Sequence, residues 1–186
     1  MKYVVTKQDP YPEESAPGIK EIFLFPKHLE FDVIIPLLGA IKNENYGNWH
    51  RVRREAISTG SMINGVFTAM EKSSIGGHSE LVTDTKPIAS EMDADLFKKQ
   101  ISYDCKYIVV KTQYADEVED VVEEIYVFPK AVHHDCFYEI INNQDEFRKL
   151  ISAGFVDSNL QCYGKSETLN VESRKEDTDL LKKQMS

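Results

Sequence analysis

Lysine, serine and arginine side chains can hold an anion, and this chain writes several of them twice. Lys27 and Lys130 each follow a proline, in EIFLFPK (21–27) and EIYVFPK (124–130). Each precedes an apolar, helix-like run, where free N–H groups and the helix dipole also attract negative charge. Ser152 in SAGF (152–155), Lys165, Ser166 and Thr168 in GKSETL (164–169), and Arg174 in VESRKED (171–177) extend the set. The expected chemistry is a polar edge that takes a small anionic, nucleotide-like ligand. GKSETL lacks the GxxxxGK spacing and the long following helix of a phosphate loop, which argues against a nucleotide triphosphatase.

Other chemistries find less support. Asp32 and Asp135 have the character of a general base or metal ligand, but each stands before an apolar run and is read first as a helix cap. HHDC (133–136) suggests zinc, yet a zinc site needs four suitably spaced ligands, and the matching stretch 30–33 keeps only the aspartate. No metal or cofactor is expected. There is no GxSxG. His28 stands opposite Ala131 and His78 opposite Lys165, and none of Cys105, Cys136 and Cys162 has a counterpart. No catalytic residue is assigned, and a hydrolase using carboxylates is the third-ranked reading. The stretch NENYGNWH (43–50), followed by RVRR (51–54), has no equivalent later in the chain. Aromatic and arginine residues in such a loop often anchor a partner, so Tyr46, Trp49, Arg51, Arg53 and Arg54 are candidate partner contacts. A loop packed back on the core, or a solvated basic face, is the plainer alternative.

The elements that would position these residues come from repetition, which is sought first. KYVVTK (2–7) returns as KYIVVK (106–111), EIFLFPK as EIYVFPK, ISTG (57–60) as ISAG (151–154), GHSE (77–80) as GKSE (164–167), and DLFKKQIS (95–102) as DLLKKQMS (179–186). The order is the same, and the offset shrinks from 104 to 84 residues, as loop deletions in the second copy would produce. A tandem duplication follows, with units at 1–103 and 105–186. Two copies are too few for a solenoid and suggest a dimer fused into one chain.

Within one unit, KYVVT and KYIVVKT are β-branched and aromatic, hence strands. EIFLFP and EIYVFP are second strands closed by proline. Asp32 and Asp135 then open helices, with Ile34, Leu37, Leu38 and Ile41 on one face, and Phe137, Ile140 and Ile141 on the other copy's face. Segments 56–70 and 150–164 read as strand pairs, and the KKQ segments as closing helices. The expectation is α+β: two ββαββα-like units with antiparallel sheet, related by a pseudo-two-fold, with a groove between them.

The whole chain has 186 residues, of which 41% are hydrophobic and 28% charged, with net charge −9. That composition is of an ordinary soluble protein with a real core. Non-specific nucleic-acid binding needs an excess of Lys and Arg, which the chain lacks. No stretch approaches the ~18 apolar residues of a membrane helix, and MKYVVTKQDPYPEE is not a signal peptide. The odd cysteine number without CxxC fits free thiols in a reducing compartment. A cytoplasmic protein is expected.

The second copy, through SAGFV (152–156), CYGKSETL (162–169) and SRKEDTDLL (173–181), resembles small uncharacterised proteins of bacteriophages and prophages with the pattern SAGF…YGxSxxL…SRxxDxxLL. The likeness covers about 60 residues of the second copy; the first copy loses the SRxxD part. It implies origin rather than mechanism. The leading expectation is a non-enzymatic phage binding protein, an anti-defence factor in the host cytoplasm that sequesters a small anion. The rival is an interaction module that inhibits a host protein directly. Self-association is compatible with either.

Overall fold

The computed structural model describes residues 1–8, 18–40, 54–70, 88–113, 122–142 and 147–186. The first half contributes β1 (Lys2–Gln8), β2 (Lys20–Phe25), α1 (Phe31–Ala40), β3 (Arg54–Ile63), β4 (Val66–Met70), β5 (Ile88–Ala89) and α2 (Glu91–Ile101). The second contributes β6 (Cys105–Gln113), β7 (Val122–Pro129), α3 (His134–Asn142), β8 (Phe147–Val156), β9 (Cys162–Tyr163), the short hairpin β10 (Lys165–Ser166) and β11 (Val171–Glu172), and α4 (Glu176–Met185). The fold is α+β, as expected. No helix among the described residues is long and apolar enough to cross a membrane.

Among the described residues, nine strands form one antiparallel sheet in the order β5-β4-β3-β1-β2-β7-β6-β8-β9. From the middle outwards, the order second strand, first strand, third strand is the same in both directions. The middle pair, β2 and β7, meets at Leu24 and Val127, which occupy the same place in EIFLFPK and EIYVFPK. Two further symmetric details are bulges. Pairing shifts between Val5 and Thr6 where β1 meets β3, and between Val109 and Val110 where β6 meets β8.

The central strands are continuous apolar runs because both sheet faces are covered. Successive side chains on a strand point to opposite faces. Tyr3, Val5, Ile22, Leu24, Tyr107, Val109, Ile125 and Val127 meet Phe97 and Ile101 of α2 and Leu181 and Met185 of α4. Val4, Phe23, Phe25, Ile108, Val110, Tyr126 and Phe128 meet Ile34 and Leu38 of α1 and Phe137 and Ile141 of α3. Phe137 lies at the centre of the second core, stacked on Phe128 at 4.1 Å, tilted against Phe25 at 6.3 Å and edge-on to Tyr126 at 6.2 Å.

The β2–β7 junction explains two repeated motifs together. Extending its register by two residues sets Ile22 opposite Pro129, and Ile125 opposite Pro26. Proline has no N–H to donate, so the ladder stops. Gln100 fills the gap: its Nε2 donates to the Ile22 carbonyl and its Oε1 accepts from the Ile22 N–H, each at 2.9 Å. Gln184, its counterpart in the second KKQ segment, donates to the Glu123 carbonyl at 3.1 Å.

Two expectations are corrected. The halves share a sheet at β2 and β7, so no groove separates them there. Asp32 and Asp135 lie one residue inside their helices, where a carboxylate still favours the positive helix start. Their Oδ1 atoms accept the next residue's N–H at 3.0 and 2.9 Å.

Candidate functional site

Two buried aspartates at matching places in the halves, Asp93 and Asp177, each accept a hydrogen bond from a tyrosine of the first strand of the same half. In the first half, Asp93 Oδ2 accepts from the Tyr3 hydroxyl and the Ser58 hydroxyl, both at 2.8 Å. The Asp93 N–H donates to Ser90, which caps α2, at 3.2 Å. In the second half, Asp177 Oδ2 accepts from the Tyr107 hydroxyl and the Arg174 N–H, both at 2.8 Å. Arg174 Nε donates to Asp177 Oδ1 at 2.9 Å, while its Nη1 and Nη2 grip Glu123 at 3.1 and 2.9 Å. Arg174 precedes Asp177 by three residues, as Ser90 precedes Asp93, so position pairs Arg174 with Ser90.

ISTG and ISAG end in glycine because a tyrosine ring lies over each. Gly60 pairs with Tyr3, and Gly154 with Tyr107. A β-carbon on Gly60 would meet the Thr68 carbonyl and come 2.7 Å from the Tyr3 ring; one on Gly154 would meet the Tyr163 carbonyl and come 3.2 Å from the Tyr107 ring.

Burial and hydrogen bonding shift several side chains in and around these clusters away from their ordinary titration ranges. Burial, then the bond to aspartate, raises both tyrosine hydroxyls well above their ordinary value. The Arg174 hydrogen bond holds the Glu123 carboxyl below its usual range. Burial pushes the Cys105 thiol up to about 11 and the Cys162 thiol up to about 12. Burial lowers His134 to about 4, and its Nε2 lies 2.9 Å from the Gly154 carbonyl, to which the neutral ring donates. A thiol nucleophile needs thiolate, and neither cysteine supplies it near neutral pH. Among the described residues no three His, Cys, Asp or Glu side chains are placed to hold a metal ion.

The expected anion set does not converge. Because β2 and β7 run antiparallel through Leu24 and Val127, Lys27 and Lys130 leave the junction in opposite directions. Six residue rises separate them, about 20 Å. Lys130 lies 3.5 Å from Asp104, and Lys27 is exposed in the turn after β2. Lys165 is 4.0 Å from Glu167. The Ser166 hydroxyl is buried, lying 3.4 Å from Thr168 Oγ1 and accepting the Leu169 N–H at 3.3 Å. Ser152 is buried, and among the described residues its hydroxyl has no hydrogen-bond partner. Arg174 faces two carboxylates and is not open to an anion.

Of the partner-loop residues, Tyr46, Trp49, Arg51 and Arg53 lie outside the described residues. Arg54 is not a surface contact: its side chain is 0% exposed, and its Nε bonds Glu21 at 3.0 Å. No family model, curated protein or solved structure matches the chain. Sequence reasoning took Tyr3 and Tyr107 as strand residues only. The signal that could have marked them was present, since each stands inside a repeated segment together with a repeated glycine and aspartate.

Proposed function

We propose that the chain is a non-enzymatic binding protein, made of two fused copies of one unit, whose ligand is a protein. The observation that carries this reading is the pair of 2.8 Å Tyr–Asp bonds. The tyrosine–aspartate pairs that the halves share are turned inward as scaffold, and the shared Lys27 and Lys130 stay exposed but far apart, which leaves recognition to what the halves do not share. The mirrored strand order, the pairing of Leu24 with Val127 and the matching bulges support fusion of two copies. Protein recognition ranks above small-anion capture because Arg174 is neutralised and the two lysines are far apart. With the phage resemblance, the partner is a host protein, bound directly in the cytoplasm as an anti-defence step.

Native mass spectrometry of the chain recovered from host extract tests this. A stoichiometric protein partner with no small adduct is the expected result. A small-molecule adduct, lost on denaturation and without a protein partner, would return the reading to anion sequestration.

A further inference from the structure

We propose that His28 and Glu124 form a pH-sensitive clasp between the two halves, whatever the ligand. Glu124, in β7 of the second half, is 1% exposed. Its Oε2 accepts the Tyr126 hydroxyl at 2.8 Å. Its Oε1 is buried and accepts no aligned hydrogen bond among the described residues. His28 Nε2, from the turn after β2 of the first half, lies 3.1 Å from that oxygen. A buried carboxylate without a cation is costly, and an imidazole supplies the cation only when protonated. The His28 side chain is 46% exposed, so it exchanges protons with solvent.

The first half meets the same need with a group that does not titrate. Glu21 holds the place of Glu124 in the repeated segment and is also buried. Arg54 Nε donates to it at 3.0 Å, and a guanidinium stays charged throughout the working pH range. Arg148 stands opposite Thr112 as Arg54 stands opposite Gln8, but its Nη1 donates to the Ile141 carbonyl at 2.8 Å. Among the described residues, His28 is the cation that reaches Glu124.

The other charges on the neighbouring elements are engaged or exposed. Lys2 of β1 donates to the Leu29 carbonyl at 2.6 Å and lies 3.3 Å from Glu30. Asp32 of α1 accepts the Val33 N–H, and Glu123 of β7 is held by Arg174. Lys27 beside His28, Lys111 of β6, Glu139 of α3 and Lys149 of β8 are exposed. Protonation of His28 completes the clasp. Its contribution is present in mild acid and is lost as pH rises through the imidazole's titration, between about pH 5 and 8 for histidine. The segment released is the turn after β2, at one end of the β2–β7 junction.

The test uses the intact chain. In a nuclear magnetic resonance titration of the wild type, the His28 ring signals and the N–H signals of Glu124 and Tyr126 should move with one shared midpoint. Urea unfolding at about pH 5.5 and pH 8 then compares the wild type with His28→Arg, which makes the cation permanent, and Glu124→Gln, which removes the need for it. Over that interval the wild-type unfolding constant should rise roughly fivefold more than that of either variant. The remaining histidines are common to all three proteins and cancel. Separate midpoints for the ring and the two N–H groups, or the same pH dependence in all three proteins, would overturn the proposal. Should Glu124→Gln fail to fold, His28→Arg and the wild-type titration still decide it.

Discussion

In the first half Asp93 is held by two hydroxyls and its helix by a serine cap; in the second, Asp177 is held by one hydroxyl and a guanidinium that also grips Glu123. The carboxylate and its tyrosine are common to both. The remaining donors differ, because any donor of suitable reach satisfies a buried oxygen. Ser58 and Ser152 make the same point from the other side. They match in sequence, but only Ser58 bonds the aspartate, while Arg174 has displaced the need for Ser152. A residue found at matching places in both halves therefore need not have the same role.

The largest test of that difference is Asp177→Ala. It strands a buried tyrosine hydroxyl and part of a guanidinium, and should cost about 3–5 kcal/mol in urea unfolding. Asp93→Ala removes only neutral donors from their acceptor and should cost about 2 kcal/mol. Equal losses would erase the distinction between the two clusters.

Acid should separate the halves next. His134 stands where the first half has Phe31, and burial depresses it to about 4. A group with a depressed folded value contributes stability that is present above its unfolded value, near 6.5, and is lost as pH falls towards 4. The loss by pH 4 should be about 3 kcal/mol. His134→Phe should flatten the melting temperature between pH 6.5 and 4, and an unchanged slope would assign the acid sensitivity elsewhere.

Smaller effects follow. Gly60→Ala and Gly154→Ala both press a methyl group against a carbonyl and a tyrosine ring, and each should lose about 2 kcal/mol by calorimetry. The sharpest contrast is the smallest. Ser58→Ala should cost about 1 kcal/mol, whereas Ser152→Ala should be neutral or slightly stabilising, since it deletes a buried hydroxyl without a partner.

Much of the fold is legible in the residues themselves. KYVVT, KYIVV, EIFLFP and EIYVFP declare strands through β-branching and closing prolines, and the KKQ segments declare helices. The turn between β3 and β4 falls at Asn64–Gly65, both with positive φ of 51° and 75°, as an Asn-Gly hairpin turn requires. The candidate site was less legible, for a geometric reason. Repetition identifies similar residues but not the distance between them, and antiparallel pairing of β2 with β7 carries the residues that follow Leu24 and Val127 in opposite directions. Lys27 and Lys130 looked like one site and lie at opposite ends of the junction. Arg54 sits in a basic run that reads as surface, yet β3 turns it inward to Glu21. Tyr3 and Asp93 are joined across most of the first half, which no local pattern reveals.

The central claim is that β2 and β7 make the two halves one cooperative body. Native-state amide hydrogen exchange reads it directly. The N–H groups of Leu24 and Val127 should exchange only through global unfolding, with the same free energy as Val4 and Ile108 within the halves. Exchange of Leu24 and Val127 through a lower-energy opening, while Val4 and Ile108 stay protected, would contradict the account and describe two units merely in contact.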